Sequence, residues 1–155
     1  PLVGRIIKIL GGVFLERDNL KQEIKVMQTI KTSLSQGLIN WAIFQEGTRN
    51  QVYGSPMNEF KAGSFKLASQ TNTTIVPLAI WGSQVVLSKH TRWQRYPIFI
   101  HYLDPVEPAN FDHNSIKIAE HCQKLVQTEI DKMRDEHPEL VKIYSKGREY
   151  IKYLH

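Results

Sequence analysis

Apolar residues recur along the chain with two periods. Leu20, Ile24, Met27, Ile30 and Leu34 stand three or four positions apart, which places them on one face of a helix. Asn19 is suited to cap that helix and Gly37 to end it. Ala62 to Gln70 predicts a shorter helix. Ile118, Cys122, Leu125, Val126, Ile130 and Met133 predict a long one with Asn114 as its cap. Pro138 opens a last helical stretch, interrupted near Gly147, and Pro1 to Leu10 carries apolar residues at helical spacing. Between these stretches lie short apolar runs. Gly12 to Leu15 is the first. Leu38 to Phe44 is apolar except for Asn40 and shows no alternation, as in a strand covered on both faces. Thr74 to Trp81 contains Pro77, which implies a bulge or an edge position, and Pro97 to Leu103 is closed by Asp104-Pro105.

Strand, helix, strand, helix, strand predicts an α/β fold with a mixed, largely parallel central sheet flanked by helices. In such sheets ligands bind beyond the carboxyl ends of the strands. No linker, repeat or low-complexity tract divides the 155 residues, so a single domain over 1–155 is expected, and 41% hydrophobic residues suffice for a core. Cys122 is the single cysteine. It excludes an internal disulfide and fits a reducing, intracellular compartment. The longest uncharged stretch, Leu67 to Ser88, holds too many amide and hydroxyl side chains to span a bilayer. Twenty basic against fifteen acidic residues give +5, which suits a phosphorylated ligand, an anionic membrane, nucleic acid or an ordinary solvated surface.

Two predicted strands end in charge. One runs out at Glu16-Arg17-Asp18 and the other at Gln45-Glu46-Gly47-Thr48-Arg49, with one helix between them. In a βαβ unit Arg17 and Arg49 would emerge from the same rim, where two guanidinium forks suit a phosphate. Gly47 allows a tight turn close to a ligand and Thr48 adds a hydroxyl. Glu46 would repel a phosphate. It reads instead as an acceptor for a substrate hydroxyl, as a group orienting an arginine, or as a structural partner of Arg17 or Arg49.

These residues carry a resemblance. Phe44-Gln45-Glu46-Gly47-Thr48-Arg49 resembles the F-P-E-G-T-R block of the 1-acylglycerol-3-phosphate acyltransferase family. Phe60-Lys61-Ala62-Gly63 with Leu67-Ala68 is similar to its F-K-x-G-x-x-x-L-A stretch. Ile75 to Ile80 is similar to its V-P-V-A-I block, and Gly12 to Arg17 to its G-x-I-F-I-D-R block. All four stand in the family order. Gln45 replaces a proline and Glu16 an aspartate. The family's H-x-x-x-x-D block, which lies upstream of the others, has no counterpart: none of the six histidines has an aspartate at that spacing. With Pro1 rather than a methionine first, the expectation is a domain shown without that segment.

The resemblance implies transfer of an acyl group from acyl-CoA or acyl carrier protein to the free hydroxyl of lysophosphatidic acid, giving phosphatidic acid. The family's histidine would take the hydroxyl proton while its aspartate orients the ring. No catalytic residue of that kind is present here, so the chain alone is expected to be inactive. By the same resemblance Arg17 and Arg49 hold the phosphate, Glu46, Gly47 and Thr48 shape the pocket, and Lys61 adds positive charge. No cofactor beyond the acyl donor is implied, and the partners are the two substrates and an anionic membrane surface at the cytoplasmic face. Glycerol 3-phosphate or another lysophospholipid as acceptor is an alternative, as is a non-catalytic lipid-phosphate-binding domain.

Other chemistry finds no support in the sequence. There is no G-x-S-x-G, no HExxH and no CxxC pair, so neither a serine nucleophile nor a metal is expected. Lys89 to Tyr96 interleaves basic and aromatic residues and reads as a surface loop first, a membrane contact second. Nucleic acid is not expected as a partner.

Overall fold

The structure is a computed structural model that describes residues 5, 9, 11–12, 20–37, 39–47, 56–85 and 95–146. The chain falls into two compact units, Pro1–Ala42 and Ile43–His155. The first unit is built on α1 (Leu20–Ser35). Of its predicted apolar face Ile30 is buried, as is neighbouring Val26, whereas Ile24 is exposed. Gly37 ends the helix at φ +62, with its N–H on the Leu34 carbonyl at 3.0 Å. Trp41 folds back on the helix, donating from Nε1 to Ser33 Oγ at 2.7 Å. Leu38 to Phe44 was expected as a buried strand. Residues 39–44 instead belong to no strand, and Ile39, Ile43 and Phe44 are exposed. Among the described residues no ladder satisfies their backbone, which a buried strand would require. The first predicted strand, from Gly12, and the cap Asn19 lie almost wholly outside the described residues.

The second unit contains α2 (Ala62–Thr71), β1 (Leu78–Trp81), β2 (Phe99–Tyr102), α3 (Ser115–Glu136) and α4 (Pro138–Lys146). The strands pair with Leu78 opposite Tyr102, Ala79 opposite His101, Ile80 opposite Ile100 and Trp81 opposite Phe99. They run antiparallel, so the described pair shows none of the parallel pairing expected to dominate a mixed sheet. A parallel return requires a crossover, usually helical. Among the described residues of 82–98 only the 3-10 turn Ser83–Val85 is present. Ile75 and Val106 extend the pair as an isolated bridge. Pro77, which has no N–H to give, sits where the regular ladder stops, its carbonyl accepting from Leu103 N at 3.0 Å.

One face of this two-stranded sheet is covered and the other is open. Ala79 and Trp81 are buried in a core shared with Phe65 of α2 and with Ile118, Cys122 and Val126 of α3. Leu78, Ile80, Ile100 and Tyr102, on the opposite face, are exposed. α3 starts as expected, its Asn114 Oδ1 accepting from Ile116 N at 3.0 Å and Lys117 N at 3.2 Å. Tyr144 of α4 is fully buried, edge-on to Trp81 with ring centroids 4.6 Å apart. Its hydroxyl donates to the Pro97 carbonyl.

Candidate functional site

The predicted site loop opens as a tight turn. Gly47 N donates to the Phe44 carbonyl at 3.1 Å, and Gly47 sits at φ +64, a conformation that glycine adopts without strain. The turn rests on the segment that leads into α2. Lys61 N donates to the Gln45 carbonyl at 2.9 Å, and Asn58 N donates to Glu46 Oε2 at 2.9 Å. A Cβ on Gly47 would lie 4.0 Å from Lys61 Cγ, so the lysine stem runs beside the turn. The structure therefore brings together Glu46, Gly47 and Lys61. Arg17, Thr48 and Arg49 lie outside the described residues.

The geometry gives Glu46 a specific task. Its half-buried carboxylate accepts a backbone N–H, a charge-assisted bond that ties the turn to residue 58. Lys61 is exposed and stands at the position before α2, making no capping bond with its side chain. Gly63 in the first turn has open space where a side chain would be. The glycine turn, the lysine stem and the start of α2 thus lie side by side, and a helix N-terminus attracts an anion.

The residues that hold the segment under the turn were not among those the sequence singled out. Met57 N donates to Gln127 Oε1 at 2.8 Å and Phe60 N to Gln123 Oε1 at 3.0 Å. The only available signal was that two glutamines stand four apart beside the apolar face of α3.

A groove of about 860 Å³ lies between β2 and α3 and is lined by His101, Tyr102, Lys124, Leu125 and Glu129 among others. There His101 Nδ1 and Glu129 Oε1 are 2.7 Å apart. Glu46, Gly47 and Lys61 are not part of its lining. No group of three metal-binding side chains occurs among the described residues, and no helix among them is long and apolar enough to cross a membrane. Of the loop Lys89 to Tyr96, only exposed Arg95 and half-buried Tyr96 are described.

Residues 1–81, just over half of the chain, match the Acyltransferase family. The chain belongs to that family. Every site residue named above from Arg17 to Gly63 lies inside the matched stretch of this acyltransferase chain, whereas Gln123 and Gln127 lie beyond it. The chain is 23% identical to the 1-acyl-sn-glycerol-3-phosphate acyltransferase of Haemophilus influenzae, over 88% of its own length and 56% of the relative's. It is 32% identical to the probable 1-acyl-sn-glycerol-3-phosphate acyltransferase of Mycoplasma pneumoniae, over 70% of the chain and 42% of the relative. To the enzyme of that name from Saccharomyces cerevisiae it is 25% identical, over 87% of the chain and 44% of the relative. The chain thus spans about half the length of the curated relatives it matches. No solved structure matches it.

Proposed function

We propose that this chain is part of an enzyme that moves a fatty acyl group to the free hydroxyl of lysophosphatidic acid, giving phosphatidic acid. The observation that carries the reading is the Glu46–Gly47 turn seated against Lys61 and the start of α2, inside the stretch that belongs to the acyltransferase family. The relatives named 1-acyl-sn-glycerol-3-phosphate acyltransferase supply the choice of acceptor. The donor is acyl-CoA or acyl carrier protein, and no further cofactor is required.

In this mechanism the acceptor's phosphate sits at the turn, held by Arg49 and Arg17, and Lys61 adds positive charge. Bidentate guanidinium contacts fix the glycerol and so aim its free hydroxyl. Glu46 fixes the turn through Asn58 N, and Thr48 gives a hydroxyl to the phosphate. A histidine–aspartate pair at the H-x-x-x-x-D spacing, which these 155 residues do not contain, removes the hydroxyl proton. The oxygen then attacks the thioester carbonyl, and the thiol leaves with a proton. The enzyme works at the cytoplasmic face of a membrane, where both lipids reside. Its complete sheet is larger and largely parallel, with β1 and β2 as an antiparallel pair within it.

Arg49→Ala in the intact protein tests the site. Loss of one charge-assisted contact to phosphate predicts a fall in kcat/KM for lysophosphatidic acid of at least roughly tenfold. Arg49→Lys should recover only part, because a point charge does not reproduce the fork. Full activity of Arg49→Ala overturns the site. Faster turnover of glycerol 3-phosphate than of lysophosphatidic acid by the unaltered protein overturns the choice of acceptor.

A further inference from the structure

Residues 57–61 form a strap whose backbone donors point alternately to two sides. Met57 and Phe60 give their N–H groups to Gln127 and Gln123 of α3, at 2.8 and 3.0 Å. Asn58 and Lys61 give theirs to Glu46 Oε2 and the Gln45 carbonyl, both at 2.9 Å. The strap is in no strand, so these side chains and the turn satisfy donors that a sheet would otherwise satisfy. α3 is itself rigidly seated, with Ile118, Cys122 and Val126 buried in the core.

The orientation of Gln127 is also fixed. Its Nε2 donates to Asp131 Oδ1 at 2.9 Å, and Arg134 Nη1 donates to the same oxygen at 3.0 Å. Asp131 can only accept, so the amide nitrogen must face it and the amide oxygen must face Met57 N. Arg134, Asp131, Gln127 and the strap thus form one polar chain running from helix to turn.

We infer that Gln123 and Gln127 are positioning residues for the phosphate end of the acceptor lipid: they set the strap, and the strap sets the Glu46–Gly47 turn. The inference rests on the reading of that turn as the phosphate site. Small displacements of a site loop are costly, because fixed donors lose both distance and angle to the ligand. Neither glutamine touches substrate in this account. They act through the two backbone amides they hold.

The test uses the intact protein with Gln123→Met, Gln127→Met, the double variant, and Gln123→Glu, which keeps an acceptor oxygen for Phe60 N. The double variant should raise KM for lysophosphatidic acid about tenfold, the scale of two lost neutral hydrogen bonds. KM for the acyl donor should hold, while the thermal midpoint falls in the Met variants because two backbone donors lose their acceptors. Gln123→Glu should behave like the unaltered protein where Gln123→Met does not. Amide exchange at Met57 and Phe60 should accelerate in the Met variants, a readout independent of turnover. If the double variant does not fold, the single variants carry the same comparison. Unchanged exchange overturns the hold on the strap, and accelerated exchange with an unchanged acceptor KM overturns its link to the lipid. If the unaltered protein does not acylate lysophosphatidic acid, the functional reading falls while the exchange data still decide whether the glutamines hold the strap.

Discussion

Gly82 and Cys122 show how much a single position can be constrained without taking part in chemistry. Gly82 sits at φ +93, and a Cβ there would lie 2.9 Å from Tyr144 Cζ and 3.1 Å from the Pro97 carbonyl oxygen. Tyr144 cannot retreat, since its ring is packed against Trp81 and its hydroxyl is bound to that same carbonyl. Gly82→Ala therefore combines backbone strain with overpacking and should destabilise by about 2–4 kcal/mol in denaturant unfolding. Gly63→Ala is the contrast: nothing lies within 4 Å of its Cβ and it is inside α2. It should stabilise by about 0.5–1 kcal/mol in the same measurement. Cys122 is buried, and desolvation pushes its thiol up to about 11. The folded state keeps it neutral over a range in which the unfolded chain ionises. Its contribution is complete below the ordinary thiol value and is lost as pH rises from there through about 11. Stability should fall across that window less steeply in Cys122→Ala than in the unaltered protein. The native thiol should also resist alkylation at pH 8 until the protein unfolds.

Elements differ in how clearly the sequence announces them. α2, α3 and α4 were legible because local signals agree: an apolar stripe, Asn114 before Ser115, and proline at 138. Asn114→Ala removes the acceptor for two backbone donors and should lower stability by about 1 kcal/mol in thermal unfolding, with little change in the slope of denaturant curves. The strands were legible only in place. Apolar runs located Leu78–Trp81 and Phe99–Tyr102, but direction is set by the connection between strands, and the segment 82–98 has no periodic signal to reveal it. Leu38 to Phe44 misled for a related reason. An unbroken apolar run marks burial only when partner strands exist, and among the described residues it has none. At the site, the turn was legible because glycine and charge cluster at Glu46-Gly47. The strap was not, because Asn58, Gln123 and Gln127 act through backbone donors that any sequence would present.

Over the second unit as a whole, apolar surface is unevenly placed. α3 covers the face of Ala79 and Trp81, while Leu78, Ile80, Ile100 and Tyr102 form a continuous exposed apolar face, with Val76 and Ile98 exposed beyond it. Contiguous apolar surface of this kind drives association unless something covers it. The 155-residue chain studied alone should therefore bind an environment-sensitive apolar dye and self-associate as its concentration rises. Ile80 and Ile100 stand directly opposite one another in the ladder, so Ile80→Lys with Ile100→Glu replaces the centre of the face by a cross-strand ion pair. Both side chains point away from the buried core, so helix content and the cooperative unfolding transition should persist. Dye binding and association should drop together in the double variant, and each single variant should fall between. Light scattering and dye fluorescence across a concentration series read this directly. A chain that is monodisperse and dye-silent before any substitution would mean that residues beyond those described already cover the face.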